Sequence, residues 1–133
     1  MAIYAIGAYY DEDVSVKFIS QAIAGPGWGV EKAPELHQFV RSLKVGDVVY
    51  IKSVPPSSPD IIVKGVGFVV DDEIVLDSSV VSIGRNIKWL VVKHFRIPKP
   101  AEKNNVRLNT MYEEFHPLVQ SEILKKLFNN CDK

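Results

Sequence analysis

A chain of 133 residues with 47% apolar and 24% charged residues can bury a core without staples and is too apolar to stay disordered, so it is expected to fold as a single domain over residues 1–133. No uninterrupted apolar run approaches the roughly 20 residues of a bilayer span, and the opening MAIYAIGAYYDED lacks the basic flank and cleavage pattern of a signal peptide, so a cytoplasmic protein without membrane contact is expected. A formal net charge of zero argues against a bulk electrostatic grip on nucleic acid, and the one cysteine, Cys131, has no disulfide partner in the chain.

In chain order, IYAIGAYY is short, alternating and β-prone, which predicts a strand over residues 3–9. Asp13 can cap a helix over 14–23 whose Val14, Phe18, Ile19, Ala22 and Ile23 share one side, with Gly25 placed to end it. AGPGWGV follows, and its glycines and proline exclude a regular element through Trp28. A loop tryptophan of this kind either plugs a barrel end or stacks on a ligand.

Pro34 suits the first turn of a second helix, where Leu36, Phe39, Val40 and Leu43 form one apolar face and His37 and Arg41 fall off it. VGDVVYIKSV reads as a strand launched by a turn at Gly46 and Asp47, with IIVKGVGFVV as its hairpin partner across PPSSPD. DDE, residues 71–73, separates that strand from EIVLDSSVV, and IKWLVVKHF is the last clear strand. TMYE fits a capping box of Thr110 and Glu113, and Pro117 opens a helix whose Leu118, Val119, Ile123, Leu124, Leu127 and Phe128 can pack on the sheet. Serial β segments with helices confined to one early insertion and the C-terminus make an α+β, barrel-like pattern.

The charges are unevenly placed. Residues 85–107 hold seven Lys or Arg against one Asp or Glu, a local net charge of +6. Arg85, Lys88, Lys93, Arg96 and Arg107 of that stretch, interleaved with Trp89, His94 and Phe95, suit contact with a nucleic-acid backbone, or equally an edge strand protected by lysines. Chemistry is otherwise hard to place: no GxxxxGK[ST], HExxH, CxxC or GxSxG occurs. The three histidines are scattered, so no metal site, no cofactor and no catalytic residue is expected. The acidic runs 11–13 and 71–73 fall at a predicted cap and a predicted turn, where solvated loop acids are ordinary.

The order of these segments resembles the PUA-like fold, and within it the EVE and YTH-related group. Trp28, Gly29 and Val30 match the W-x-G-V-R-N loop of EVE domains, and Lys44, Val45, Gly46, Asp47, Val49 and Ser53 match their K-V-G-D-x-V-x-x-Y-H-S strand, with Tyr50 and Lys52 shifted relative to its aromatic and histidine. Val63, Gly65 and Gly67 fit the next strand. The GDVVYIK segment also resembles the GD-hydrophobic-K strand of related modules in modification-dependent restriction proteins. The likeness covers residues 3–71. Glu31 and Lys32 replace the family's Arg-Asn, and Ala8, Tyr9, Tyr10 and Asp11 replace its Ser-Glu-Pro, so the pocket chemistry differs.

The resemblance implies a PUA-like β-barrel with short helices after the first strand and a C-terminal helix. It places Trp28 at the rim of a ligand pocket, with Tyr9, Tyr10 and Trp89 as candidate further walls and Lys32, Lys52, Ser53 and Asn109 as candidate polar contacts. Two functions follow: a nucleic-acid binding module that accepts a flipped base, modified or not, or a protein that binds or sequesters a small nucleotide or nucleotide-derived signal. An enzyme is not expected, and a homodimer through an edge strand is compatible with a domain of this size.

Overall fold

Ile3 and Ala5 alternate with Tyr4 and Ile6 between two separate apolar clusters, and that period of two makes Ile3–Gly7 strand β1 of the computed structural model, which describes residues 1–9, 12–55, 57–100 and 109–131. Helix α1, Ser15–Gln21, starts where the Asp13 carboxylate accepts the Ser15 N–H at 2.9 Å. It is shorter than its apolar pattern predicts. Ala22 turns left-handed at φ 55°, and Ile23–Ala24 leave the helix as strand β2. Gly25 therefore does not end the helix; it permits a close backbone approach, since a Cβ there would sit 1.9 Å from the Ile83 carbonyl oxygen.

Helix α2, Pro34–Ser42, opens on its proline and buries Val40 with Leu43 just beyond its end. Gly46, at φ 92°, makes the turn into β3, Val48–Ser53, while the Asp47 carboxylate fastens the turn by accepting from Ala2 N at 3.1 Å and Lys44 N at 2.8 Å. β4, Asp60–Val69, returns antiparallel to β3 as the expected hairpin. β5 is only Val75–Leu76, because Asp77 turns left-handed at φ 49° and the Ser78 hydroxyl accepts the Val80 and Val81 N–H groups, closing residues 77–82 into a tight turn.

The predicted strand IKWLVVKHF is two strands, β6, Ile83–Val91, and β7, Phe95–Pro98. Both lie along one edge of β4, where Val66 pairs with Val91 but Val63 with Phe95, so the later strand carries one residue too many and the ladder breaks between them. The predicted capping box is also corrected. Met111–Glu113 form β8, because the open edge of β1 offers ladder bonds to a segment whose Met111 and Tyr112 need burial. Helix α3, Pro117–Cys131, begins at the expected proline and buries Val119, Ile123 and Leu127, leaving Leu118 and Phe128 exposed.

The result is α+β, a curled mixed sheet in the order β2-β6-β4-β3-β1-β8, with β5 on β6 and β7 on β4. β1 and β3 are parallel, joined by the crossover through α1, β2 and α2. One face packs Ile6, Ile51 and Ile87 against Phe18 and Val40 of α1 and α2; the other packs Ala5, Tyr50 and Val66 against Val119 and Ile123 of α3. Among the described residues no helix is long and apolar enough to cross a membrane.

A candidate binding cleft

β1 and β3 run side by side in one direction and end together at the pair Gly7 and Lys52. Chains that leave the carboxyl ends of parallel strands diverge, and a crevice opens between them. Here it is a cleft of about 500 Å³ with Tyr9, Asp13, Trp28, Lys52, Ser53 and Lys64 in its lining, within the size range of small-ligand sites.

Its aromatic wall is built with care. Trp28 is 51% exposed, so it does not plug the barrel end. Its carbonyl accepts from His37 Nε2 at 2.8 Å and from the Ser82 hydroxyl. A carbonyl can only accept, so Nε2 of His37 carries the proton. The Ser82 N–H donates to the Pro26 carbonyl at 3.0 Å, fixing the loop to the start of β6. The backbone beneath an exposed indole is thus clamped from two elements. Tyr9, 73% exposed, forms an isolated antiparallel bridge with Asp13.

The floor is cationic. Lys52 is only 9% exposed, and its ammonium lies 5.6 Å from the centroid of the Tyr112 ring. Behind it, Ala5 lies between Tyr50 and Tyr112 in the two ladders, and the Tyr50 hydroxyl donates to Glu114 Oε1 at 2.7 Å. Burial, with the neighbouring Tyr112 and Glu114, pushes the Tyr50 phenol far above its ordinary range. Lys64 pairs with Asp13 at 2.5 Å. Partial burial alone would raise the Asp13 carboxyl, but hydrogen bonds from Lys64 and Ser15, with the lysine's charge, outweigh it and hold the group at about 2.

Other expected site residues lie elsewhere. Trp89 is not in this lining: it packs against the core and donates from Nε1 to the Phe18 carbonyl at 3.0 Å. Lys32 sits exposed on the turn after the tryptophan loop, outside the lining, and Asn109 is exposed beside Thr110, which does line the cleft. Arg85 overturns its assignment to the nucleic-acid backbone. It is 1% exposed and donates to the Val40 and Leu43 carbonyls at the end of α2 and to the Asp71 carbonyl at 2.8 Å. A helix that ends without a glycine needs donors for its last carbonyls, and a cation suits the negative end of its dipole. Lys88 and Lys93 are exposed; Arg96 is exposed but within 3.7 Å of Asp60. Tyr10 and Arg107 lie outside the described residues.

The sequence pattern missed His37 and Lys64. His37 falls off the apolar stripe of α2, yet it is 8% exposed, buried as the clamp on Trp28. Lys64 looks like an ordinary outward residue of a strand, and only the fold brings it to Asp13, 51 positions away. Among the described residues no group of three or more His, Cys, Asp or Glu is placed to hold a metal ion.

A second cleft, of about 580 Å³, shares Tyr9 and Trp28 with the first and is otherwise lined by Gly27 and the turn 77–82. No protein-family model matches the chain, and no curated protein matches it.

Proposed function

We propose that the chain is a cytoplasmic, non-enzymatic module of the PUA-like, EVE and YTH-related kind that binds nucleic acid by taking one base, modified or unmodified, into the cleft at the ends of β1 and β3. The observation that carries this reading is Trp28, a half-exposed indole whose carbonyl is held by His37 and Ser82. A base stacked on an aromatic face gains about 1–3 kcal/mol, and a clamped loop gives up little conformational freedom in presenting that face. Tyr9 supplies a second ring, Ser53 a hydroxyl that both donates and accepts, and Lys52 and Lys64 positive charge. Unstacking a base costs a few kcal/mol, which stacking together with phosphate contacts from Lys88, Lys93 and Arg96 can offset.

A second reading, a small nucleotide or nucleotide-derived ligand, is favoured by the burial of Arg85 and the ion pair of Arg96, which weaken the basic stretch as a grip. Salt separates the two. For an oligonucleotide, log affinity falls by about 0.7–0.9 per decade of salt for each phosphate neutralised, and replacing Lys88, Lys93 and Arg96 together flattens that slope by about 2–3. Trp28→Ala lowers affinity at every salt concentration and leaves the slope unchanged. A shallow wild-type slope that the triple variant does not alter identifies a mononucleotide-sized ligand. Absence of binding by the wild type to nucleosides, nucleotides and oligonucleotides alike rejects both readings.

A further inference from the structure

Tyr9 and Trp28 belong to two clefts, not one, and the clefts differ in charge. The first holds Lys52 and Lys64 against Asp13. The second holds Asp77 and the serines of the 77–82 turn and has no lysine or arginine in its lining. Each falls within the volume range of a site for one small ring-bearing ligand.

The polar groups of the second cleft are committed unequally. Ser78 accepts from Val80 and Val81 within its own turn, and Ser82 is taken up by the Trp28 clamp. The turn is closed by its own backbone: Asp77 N donates to the Ser82 carbonyl at 2.9 Å and Ser78 N to the Val81 carbonyl at 2.9 Å. Asp77 and Ser79 are the exposed polar side chains left in the lining. A carboxylate in a lining that holds no lysine or arginine repels phosphate and accepts hydrogen bonds, so within a base-binding site its partner is a base bearing N–H donors.

We infer that the 77–82 cleft is a second base subsite, which holds the nucleotide adjacent to the one in the Lys52 cleft and selects at that position for a base with an exocyclic amino group facing Asp77. The ligand is then at least a dinucleotide step, with consecutive bases on either side of the Tyr9 and Trp28 wall. This rests on the base-binding reading above and adds the length of the ligand and a preference at its second position. Thymine and uracil, which present a carbonyl where cytosine presents an amine, are disfavoured there.

The test uses the whole chain and calorimetric titration at one fixed salt concentration. The probes are the nucleoside monophosphates, the deoxy- and ribodinucleotides built from them, and dinucleotides in which either residue is abasic. Dinucleotides with an amino-bearing second base are expected to bind about 5- to 150-fold more tightly than the matching abasic dinucleotide, the increment of one stacked base. The abasic control carries the same phosphate and sugar, so the increment belongs to the base. Asp77→Asn suits the left-handed backbone at this position, because asparagine tolerates it. It removes the charge and adds a donor, so the amino preference should shrink or pass to thymine and uracil while monophosphate affinity stays unchanged. If a monophosphate binds and no dinucleotide exceeds its abasic control, the second subsite is rejected and the base-binding reading stands. If the increment is present but Asp77→Asn leaves its base preference intact, the role of Asp77 is rejected. If neither monophosphates nor dinucleotides bind, the base-binding reading fails and the subsite with it.

Discussion

The chain has two tryptophans, and the fold treats them in opposite ways. Trp89 lies on β6 beside Gly65 and packs its ring against the core. Its Nε1 is used up on the carbonyl of Phe18, so both the ring and its one donor serve the packing of α1 on the sheet. Trp28 has the reverse arrangement. Its backbone is fixed by His37 and Ser82 while half of the residue faces solvent. What separates them is which part of the residue the protein immobilises. Fixing the side chain builds a core, and fixing the backbone presents a surface.

The largest expected break in this contrast is on stability. Trp89→Ala removes a large ring packed against the core and leaves the Phe18 carbonyl without that donor, so chemical denaturation should show a loss of about 3 kcal/mol or more. Trp28→Ala, measured the same way, should lose less than about 1 kcal/mol. Equal losses would abolish the distinction.

Arg85 draws the same line through the basic stretch. Arg85→Met keeps the apolar stem but strips the donors from the Val40, Leu43 and Asp71 carbonyls, so a loss of about 3 kcal/mol is expected. Lys88→Met and Lys93→Met, at exposed positions, should each stay within about 0.5 kcal/mol. If Arg85→Met unfolded no more readily than those two, the arginine would not be serving as the cap of α2.

These outcomes also mark what the sequence could and could not disclose. The first strand of the central hairpin was legible because VVYI is a continuous, β-prone apolar run launched by the turn at Gly46 and Asp47, and in the fold each of its faces meets an apolar cluster. The loop carrying Trp28 was legible from its glycines and proline. β8 was not, since Thr110 and Glu113 satisfy a helix-capping pattern and only the open edge of β1 decides otherwise. Arg85 was misread for the same kind of reason: an arginine in a basic run looks solvated until α2 ends against it. Tyr9, Trp28, Lys52 and Ser53, which the family resemblance grouped with Tyr10, Lys32, Trp89 and Asn109, line one cleft. His37, Lys64 and the 77–82 turn join through contacts between elements that local pattern does not encode.

The smallest expected effect is a pH dependence. The Asp13 carboxyl titrates at about 2 when folded, below its unfolded value of about 4. Its pairing with Lys64 therefore stabilises the fold fully above about pH 4 and is lost as pH falls through about 2. Asp13 is 43% exposed at its side chain, so screening keeps the contribution under about 1 kcal/mol. The stability difference between wild type and Lys64→Met should narrow over that window. A difference constant from pH 5 to about pH 2 would show that the pair contributes nothing.

Single-tryptophan fluorescence tests the central claim most directly. Trp89→Phe leaves Trp28 as the sole indole reporter, and titration with nucleotides and short oligonucleotides should then quench and shift its emission with the same midpoint that calorimetry gives for binding. In the converse protein, Trp28→Phe, the emission of Trp89 should stay unchanged across the same titration. Binding that alters Trp89 and leaves Trp28 silent would contradict the account, because the ligand would then occupy some place other than the wall the fold holds out to solvent.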